Sequence, residues 1–370
     1  MTSIKQRPNG AWRARYRDDM RREHSRHFKT KREAQRWLDE ITTSMVTGMY
    51  VDPRAGVITL SQYYEGWSTR QIWAASTKVS MDLAMKQCTF RDLELRRLTR
   101  SHVEAWVKEM VMRGLAPGTI RTRVNNVRSV IRAAVRDRRI PDDPSAGVTL
   151  PRVRRADVAM RVPTPDEVGT IMGAAEWWFR PFIAVCAFAG LRLGEGAGLQ
   201  AKDIDFLRRT IHVRRQVQRV GARRISITPP KYGSERDVFV PDELLQLLSE
   251  QVKTASELGG AGWLFIGQHG DPPHQNTVGY WWRNTLEAAG LEDIRLHDLR
   301  HFFASGLIAA GCDVVTVQRA LGHSRATTTL NTYSHLWPTA QDRTRAASAG
   351  LVADVLRGTT LGGSAETPPQ

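Results

Sequence analysis

Three cysteines in 370 residues, Cys88, Cys186 and Cys312, are too few and too far apart to staple a fold, and no Cys-x-x-Cys pair is present to hold a zinc ribbon. A reducing compartment follows. Long apolar runs are also missing: the longest, Phe182 to Leu191, falls well short of a membrane span, and residues 1–10 lack a signal-peptide core. We therefore expect a soluble, cytoplasmic protein with no membrane partner. Acidic residues are scarce, 38 against 54 Lys plus Arg, which leaves a formal charge of +16. Such a chain should meet a polyanion, with nucleic acid the leading candidate. No Gly-x-x-x-x-Gly-Lys loop and no compact carboxylate cluster occur, so neither a nucleotide cofactor nor a metal is expected. There is no repeat of 20 to 50 residues, and the small, polar stretch from Gly358 to Gln370 has the composition of disordered termini.

The length allows two or three domains. In residues 1–58, Asn9-Gly10 marks a turn, after which Trp12, Ala14 and Tyr16 alternate with Arg13, Arg15 and Arg17. One face of this strand packs and the other is cationic. A second strand runs through Arg26, His27 and Phe28. Thr30 and Glu33 have capping-box spacing, and Ala34, Trp37, Leu38, Ile41 and Met45 then recur at helical spacing as far as Gly48. A small sheet backed by one helix can read DNA through its charged face. The competing reading is a solvated strand face.

Residues 59–150 carry four helical patterns, Leu60 to Trp73, Thr77 to Cys88, Arg100 to Arg113 and Gly118 to Arg138. In the fourth, Ile120, Val124, Val127, Ile131, Ala134 and Val135 share one side, with Arg121, Arg128, Arg132 and Arg136 in an arc of about 80° beside them. Without interleaved glutamates these four would repel one another, so a phosphate-tracking role is expected. Residues 151–163, with Arg152, Arg154, Arg155 and Arg161, read as a basic linker.

Residues 164–345 open with a capping residue, proline and glutamate in Thr164-Pro165-Asp166-Glu167. An apolar helix leads to AGLRLGE, where Arg192 and Glu195 stand three apart, as in a local ion pair at a helix end. β-like segments follow at Thr210 to Val217, Arg223 to Thr228 and Arg236 to Val240, which puts Lys231 at a hairpin tip. Trp281 and Trp282 read as core. The stretch from Arg295 to Tyr333 then sets His297 and Arg300 on one helical face, His323 in a Gly-His-Ser turn, and Tyr333 ten residues later. Guanidinium holds non-bridging phosphate oxygens bidentately while a nucleophile attacks in line, so these residue types suit phosphoryl transfer. Residues 346–370 hold one more amphipathic helix, through Ala346, Ala347, Leu351, Val352, Val355 and Leu356, and the tail.

Arg192, Lys231, His297, Arg300, His323 and Tyr333, set within AGLRLGE, HDLRH and LGH, resemble the signature of the tyrosine recombinases of the phage-integrase type. The likeness spans nearly the whole chain and is most specific over residues 186–335. It implies a mainly α, multidomain fold with small β-sheets: an N-terminal three-stranded sheet plus helix that binds arm-type sites, a helical core-binding domain, and an α+β catalytic domain. It further implies double-stranded DNA at attachment core sites and arm-type sites as substrate, a homotetramer on DNA, and integration or excision of a phage or mobile-element genome. A host DNA-bending protein and an excisionase are accessory partners expected on the same basis.

Under that resemblance Tyr333 is the nucleophile, forming a 3′-phosphotyrosyl bond, and Arg192 and Arg300 clamp the phosphate. Glu195 orients Arg192, His297 accepts the phenol proton, His323 donates to a non-bridging oxygen and Lys231 protonates the departing 5′ oxygen. A free phenol titrates near pH ~10, so the proton acceptor and the cations are needed. Two other readings compete. His297 and His301, four apart, have the spacing of a metal-dependent nuclease, although Asp298 stands where zinc hydrolases carry glutamate. A DNA-binding regulator without catalysis would account for the charge and leave the Arg, His and Tyr set unexplained.

Overall fold

The computed structural model describes residues 2–18, 21–48, 50–52, 54–152, 160–220, 224–257, 262–267, 270–337 and 340–360. Most of the basic linker, including Arg154 and Arg155, and the tail beyond residue 360 lie outside them. The chain forms two compact units, Met1–Val158 and Ala159–Gln370.

In the first unit, β1 (Ser3–Gln6), β2 (Trp12–Arg17) and β3 (Glu23–Phe28) form an antiparallel sheet in that order. The alternation along β2 decides which face packs. Ala14 and Tyr16 are 0% and 1% exposed and lie in one cluster with Ala34 and Leu38 of α1 (Lys31–Val46). Burying the Tyr16 ring requires a partner for its hydroxyl, which Tyr50 supplies at 2.9 Å. The capping box forms in both directions, Glu33 N–H to Thr30 Oγ1 and Thr30 N–H to Glu33 Oε2, each at 3.2 Å.

A second core in this unit is built by α2 (Leu60–Ser68), α3 (Ala75–Lys86), α4 (Arg100–Met112) and α5 (Pro117–Arg136) around Trp106. The helix expected to run to Trp73 stops at Ser68. Trp73 packs back from the connecting segment, its ring 5.3 Å from that of Trp67, so its apolar character marks the core and not the helical period. Burial of Ile120, Val124, Val127, Ile131 and Ala134 on α5 matches their common face.

The second unit opens with α6 (Pro165–Ala174), capped reciprocally by Thr164 and Glu167, and continues into α7 (Arg180–Phe188), which is apolar on all sides and buried from Pro181 to Ala187. The short α8 (Leu193–Ala197) follows. Strands β4 (Ile204–Asp205), β5 (Thr210–Val213) and β8 (Arg236–Phe239) make one antiparallel sheet in the order β4-β5-β8; β6 (Gln216–Val220) and β7 (Arg224–Thr228) make another. Lys231 is thus not at a hairpin tip. It lies in a 3₁₀ turn, Lys231–Gly233, that carries the chain from one sheet to the other. The expected strand Thr210 to Val217 is likewise split between the two sheets at Arg214 and Arg215.

Helices α9 (Asp242–Glu257) and α10 (Gln275–Ala289) complete the core; Trp282 is 5% exposed and its indole N–H donates to Ile294 O at 2.9 Å. Then α11 (Asp298–Ala309), α12 (Val314–Leu321) and α13 (Ala326–Tyr333) enclose a smaller cluster of Ala304, Ile308, Val317, Leu321 and Tyr333. The last helix, α14 (Ala340–Thr360), leaves Leu351 and Val352 69% and 58% exposed. Among the described residues no helix is long and apolar enough to cross a membrane.

Candidate active site

The chain leaves α7 through Gly190, whose φ of +63° turns it sharply; a Cβ there would collide with Phe303 of α11. Two residues later Arg192 starts α8. Glu195, 1% exposed, accepts the backbone N–H of Arg192 at 3.0 Å on Oε2 and its Nη1 at 2.6 Å on Oε1. Nη1 also donates to Ser234 Oγ at 3.3 Å. The Arg192 side chain stays 27% exposed, so its guanidinium is fixed yet open to a ligand. Burial alone would raise the Glu195 carboxyl, but Arg236, Arg192 and Arg300 hold it at about 2. It is an anion at any physiological pH.

Arg300, on the first turn of α11, is 2% exposed and donates to the backbone carbonyls of Gly190 and Leu321. These bonds use two of its five N–H groups. They also tie the Arg192 turn to the end of α12. Burial, then the nearby Arg192 and Arg236, lower its pKa, while Glu195 opposes them. Asp298, fully buried, fixes the start of α11 by accepting the Arg295 N–H at 2.8 Å and Nη2 at 3.0 Å.

Tyr333 ends α13 with 1% exposure, and its hydroxyl lies 2.7 Å from Nδ1 of His301. The hydroxyl meets His301, one turn along α11, and not the expected His297, which stands at the helix start with its ring 5.0 Å from that of His301. Residues four apart share a face of the helix, so both imidazoles lie on the same side of α11, and Tyr333 meets the second. Burial pushes the Tyr333 phenol up to about 12, against the pull of Arg300 and Arg192. Desolvation, then His297, pushes His301 down to about 4, so it is neutral and able to accept a proton at neutral pH. Desolvation and Arg300 lower His297 as well.

His323 follows the left-handed Gly322 that ends α12, and its Nδ1 lies 2.9 Å from Thr329 Oγ1. Desolvation, Arg300 and Arg192 hold it at about 4. If Thr329 donates to Nδ1, the proton of neutral His323 resides on Nε2, the nitrogen left to bond a ligand.

Arg192, Glu195, Arg300, His323 and Tyr333 are thus drawn into one electrostatic neighbourhood, with His297 at its edge. Lys231 is exposed and makes no hydrogen bond with these side chains; its segment is joined to them through Ser234. The sequence reading missed Arg236 and undervalued His301. Arg236 occupies an inward position of β8, in register with Val238, and a cation on the apolar side of an alternating strand was the signal for it. The sequence offers His301 only as half of a metal-pair spacing with His297. Nδ1 of His301 is engaged by Tyr333, which is a different use of the His297–His301 spacing from a metal pair.

The candidate DNA-binding arginines lie in the first unit. Arg13 and Arg15 approach Glu23 at 3.4 and 3.3 Å, and Arg17 is exposed. On α5, Arg121 and Arg136 are exposed, whereas Arg128 donates to Ser145 O at 2.9 Å and Arg132 pairs with Asp143 at 3.1 Å. The repulsion expected among the four is therefore relieved by a turn that follows the helix, not by glutamates within it.

Residues 161–339 match the phage integrase family. The chain is a tyrosine recombinase of the phage-integrase type. The recombinase is 28% identical over 353 residues to a protein named as the integrase of prophage phiRv2 in Mycobacterium tuberculosis, with 90% of each chain covered. It is 27% identical over 263 residues to the ICEBs1 integrase of Bacillus subtilis, covering 68% of this chain and 71% of that one. Its fold is similar to the Tn1549 transposon integrase in complex with a circular intermediate DNA (TM-score 0.67, 22% identity, 79% and 99% covered). It is also similar to lambda integrase in a tetramer bound to a Holliday junction (TM-score 0.58, 18% identity, 90% and 94% covered). The recombinase is accordingly a site-specific DNA strand transferase, and the nuclease and regulator readings fall behind.

Proposed function

We propose that Tyr333 Oη attacks a scissile DNA phosphate, forming a 3′-phosphotyrosyl bond as the bond from phosphorus to the 5′ oxygen breaks. The phenol proton passes to His301 Nδ1, and Lys231 gives a proton to the departing 5′ oxygen, leaving a free 5′-hydroxyl. Arg192 and Arg300 neutralise the non-bridging oxygens, and His323 donates to one of them through Nε2. Rejoining reverses these steps and needs no nucleotide or metal, because the covalent bond stores the phosphodiester energy. The observation that carries this reading is the 2.7 Å approach of the Tyr333 hydroxyl to a neutral imidazole, beside two guanidinium groups.

The substrate is double-stranded DNA, with core sites and arm-type sites held by the first unit and the catalytic unit acting on the core. The +16 charge supports this, as do the neighbours whose structures contain DNA. The working assembly is a homotetramer in which α14 docks on a neighbouring protomer, supported by the exposure of Leu351 and Val352 and by the lambda integrase tetramer. A host bending protein and an excisionase set direction, integrating or excising a phage or mobile-element genome in the cytoplasm of a bacterial host. The test is incubation with a nicked suicide duplex from the cognate attachment region, then mass spectrometry of the adduct. DNA on Tyr333 supports the mechanism; an adduct on any other side chain sinks it.

A further inference from the structure

Arg236 is 8% exposed, and its guanidinium reaches three segments at once. Nη2 donates to Glu195 Oε2 at 2.9 Å, Nε donates to Ala320 O at 2.8 Å, and Nη1 donates to Ser234 O at 3.3 Å. Each acceptor belongs to a different part of the active site. Glu195 holds Arg192 with its other oxygen. Ala320 lies in the last turn of α12, three residues before His323, and the next carbonyl, Leu321 O, accepts from Arg300. Ser234 ends the turn that carries Lys231, and its hydroxyl accepts from Arg192.

Gly322 closes this arrangement. Its φ is +64°, and a Cβ there would fall 2.9 Å from Arg236 Cδ, 3.0 Å from Nη1 and 3.1 Å from Ser234 Cβ. The chain therefore turns toward His323 directly against Arg236. A planar fork with directed donors can serve three acceptors in fixed geometry; an ammonium on a flexible stem cannot.

We propose that Arg236 is a positioning residue for strand cleavage, holding the Arg192–Glu195 pair, the Lys231 turn and the His323 turn in mutual register. This rests on the assignment of Tyr333 as nucleophile and Arg192 as phosphate clamp. Arg236 itself is covered and acts through these groups. Removing it leaves the buried Glu195 with Arg192 as its one remaining bonded cation, so the clamp is drawn toward the carboxylate and away from a phosphate. Misplacement by about 1 Å in such a site lowers the rate on the order of 10²-fold.

The test compares Arg236→Met, Arg236→Lys and Tyr333→Phe with the full-length protein. It measures single-turnover cleavage of a nicked suicide duplex from pH 4 to 8 and, separately, the Kd for the intact core site. The expected result for Arg236→Met is cleavage slowed about 10²-fold with Kd within about threefold, and an acid limb moved toward neutral pH as Glu195 becomes protonated more easily. Arg236→Lys should recover part of the rate. Wild-type cleavage by Arg236→Met overturns the proposal. So does an equal loss of rate and affinity with the acid limb in place, which would mark a purely structural role. Should Arg236→Met fail to fold, Arg236→Lys decides: slowed cleavage at unchanged Kd supports positioning, and a wild-type rate and acid limb refute it. An adduct formed by Tyr333→Phe would instead overturn the nucleophile assignment, whatever Arg236 does.

Discussion

The hydroxyl of Tyr333 lies 2.7 Å from Nδ1 of His301, on a ring whose pKa is pushed down to about 4, while the phenol is pushed up to about 12. The phenol is therefore held protonated beside a neutral imidazole. Keeping both groups uncharged avoids burying an unpaired ion.

Under the proposed mechanism, replacing the Tyr333 hydroxyl removes the chemistry and little else. Tyr333→Phe should bind core-site DNA within about twofold of wild type and yield no protein-DNA adduct on a denaturing gel. Wild-type protein in excess EDTA should form the adduct at full rate, and a loss of activity on chelation would count against the metal-free mechanism.

The two imidazoles should separate in kinetics. His301→Ala is expected to slow single-turnover cleavage on the order of 10² to 10⁴-fold, the range for loss of a general base. His297→Ala should cost less. A base with a depressed pKa is competent above that value, so the wild-type rate should rise with pH through about 4 and level off toward neutrality. Equal losses in the two variants would refute the assignment of His301 as proton acceptor.

Glu195 links the active site to acid stability. Its folded pKa of about 2 lies below the ordinary 4.5, so it stabilises the catalytic unit fully above pH 5. On the order of 3 kcal/mol is lost as the pH falls from 5 to 2. Chemical denaturation at a series of pH values should show this slope in the wild type. Glu195→Gln should flatten it while lowering stability at neutral pH.

The arginines of α5 should fall into two groups. Arg128→Ala removes bonds to Ser145 and is expected to destabilise the protein by about 1–2 kcal/mol. Arg121→Ala, at an exposed position, should change stability by less than about 0.5 kcal/mol and reduce the slope of log K against log salt by about 1. Thermal melts and DNA titrations between 50 and 200 mM salt would check both.

Truncation after Arg345 removes most of α14 with its exposed Leu351 and Val352. Cleavage of a single suicide site should persist within about tenfold, while assembly of the four-protomer complex, followed by light scattering on DNA, should be lost. Unimpaired assembly would show that the helix packs in cis.

Whatever depends on neighbours in the chain was legible in the residues. The alternation of Trp12, Ala14 and Tyr16 placed one face of β2, the Thr30 and Thr164 capping boxes formed as spaced, and the apolar stripe of α5 is buried as its period requires. Those features obey periods of two or about 3.6 residues, which side-chain direction imposes on any strand or helix. The order of Arg192, His297, Arg300, His323 and Tyr333 was legible too, and with it the chemistry these groups suit.

Tertiary structure alone decided how they meet. Arg300 reaches the Gly190 carbonyl 110 residues away, Arg236 reaches Glu195 across 41, and His301 meets Tyr333 across 32. No local period couples such positions. The partner of each is set by which helix or strand packs beside it, so His301 and not His297 lies against the Tyr333 hydroxyl, and Lys231 lies in a turn between sheets and not at a hairpin tip. Burial decided the rest, because the same low-dielectric surroundings that raise the phenol and lower the imidazoles exist only once α11, α12 and α13 have closed around them.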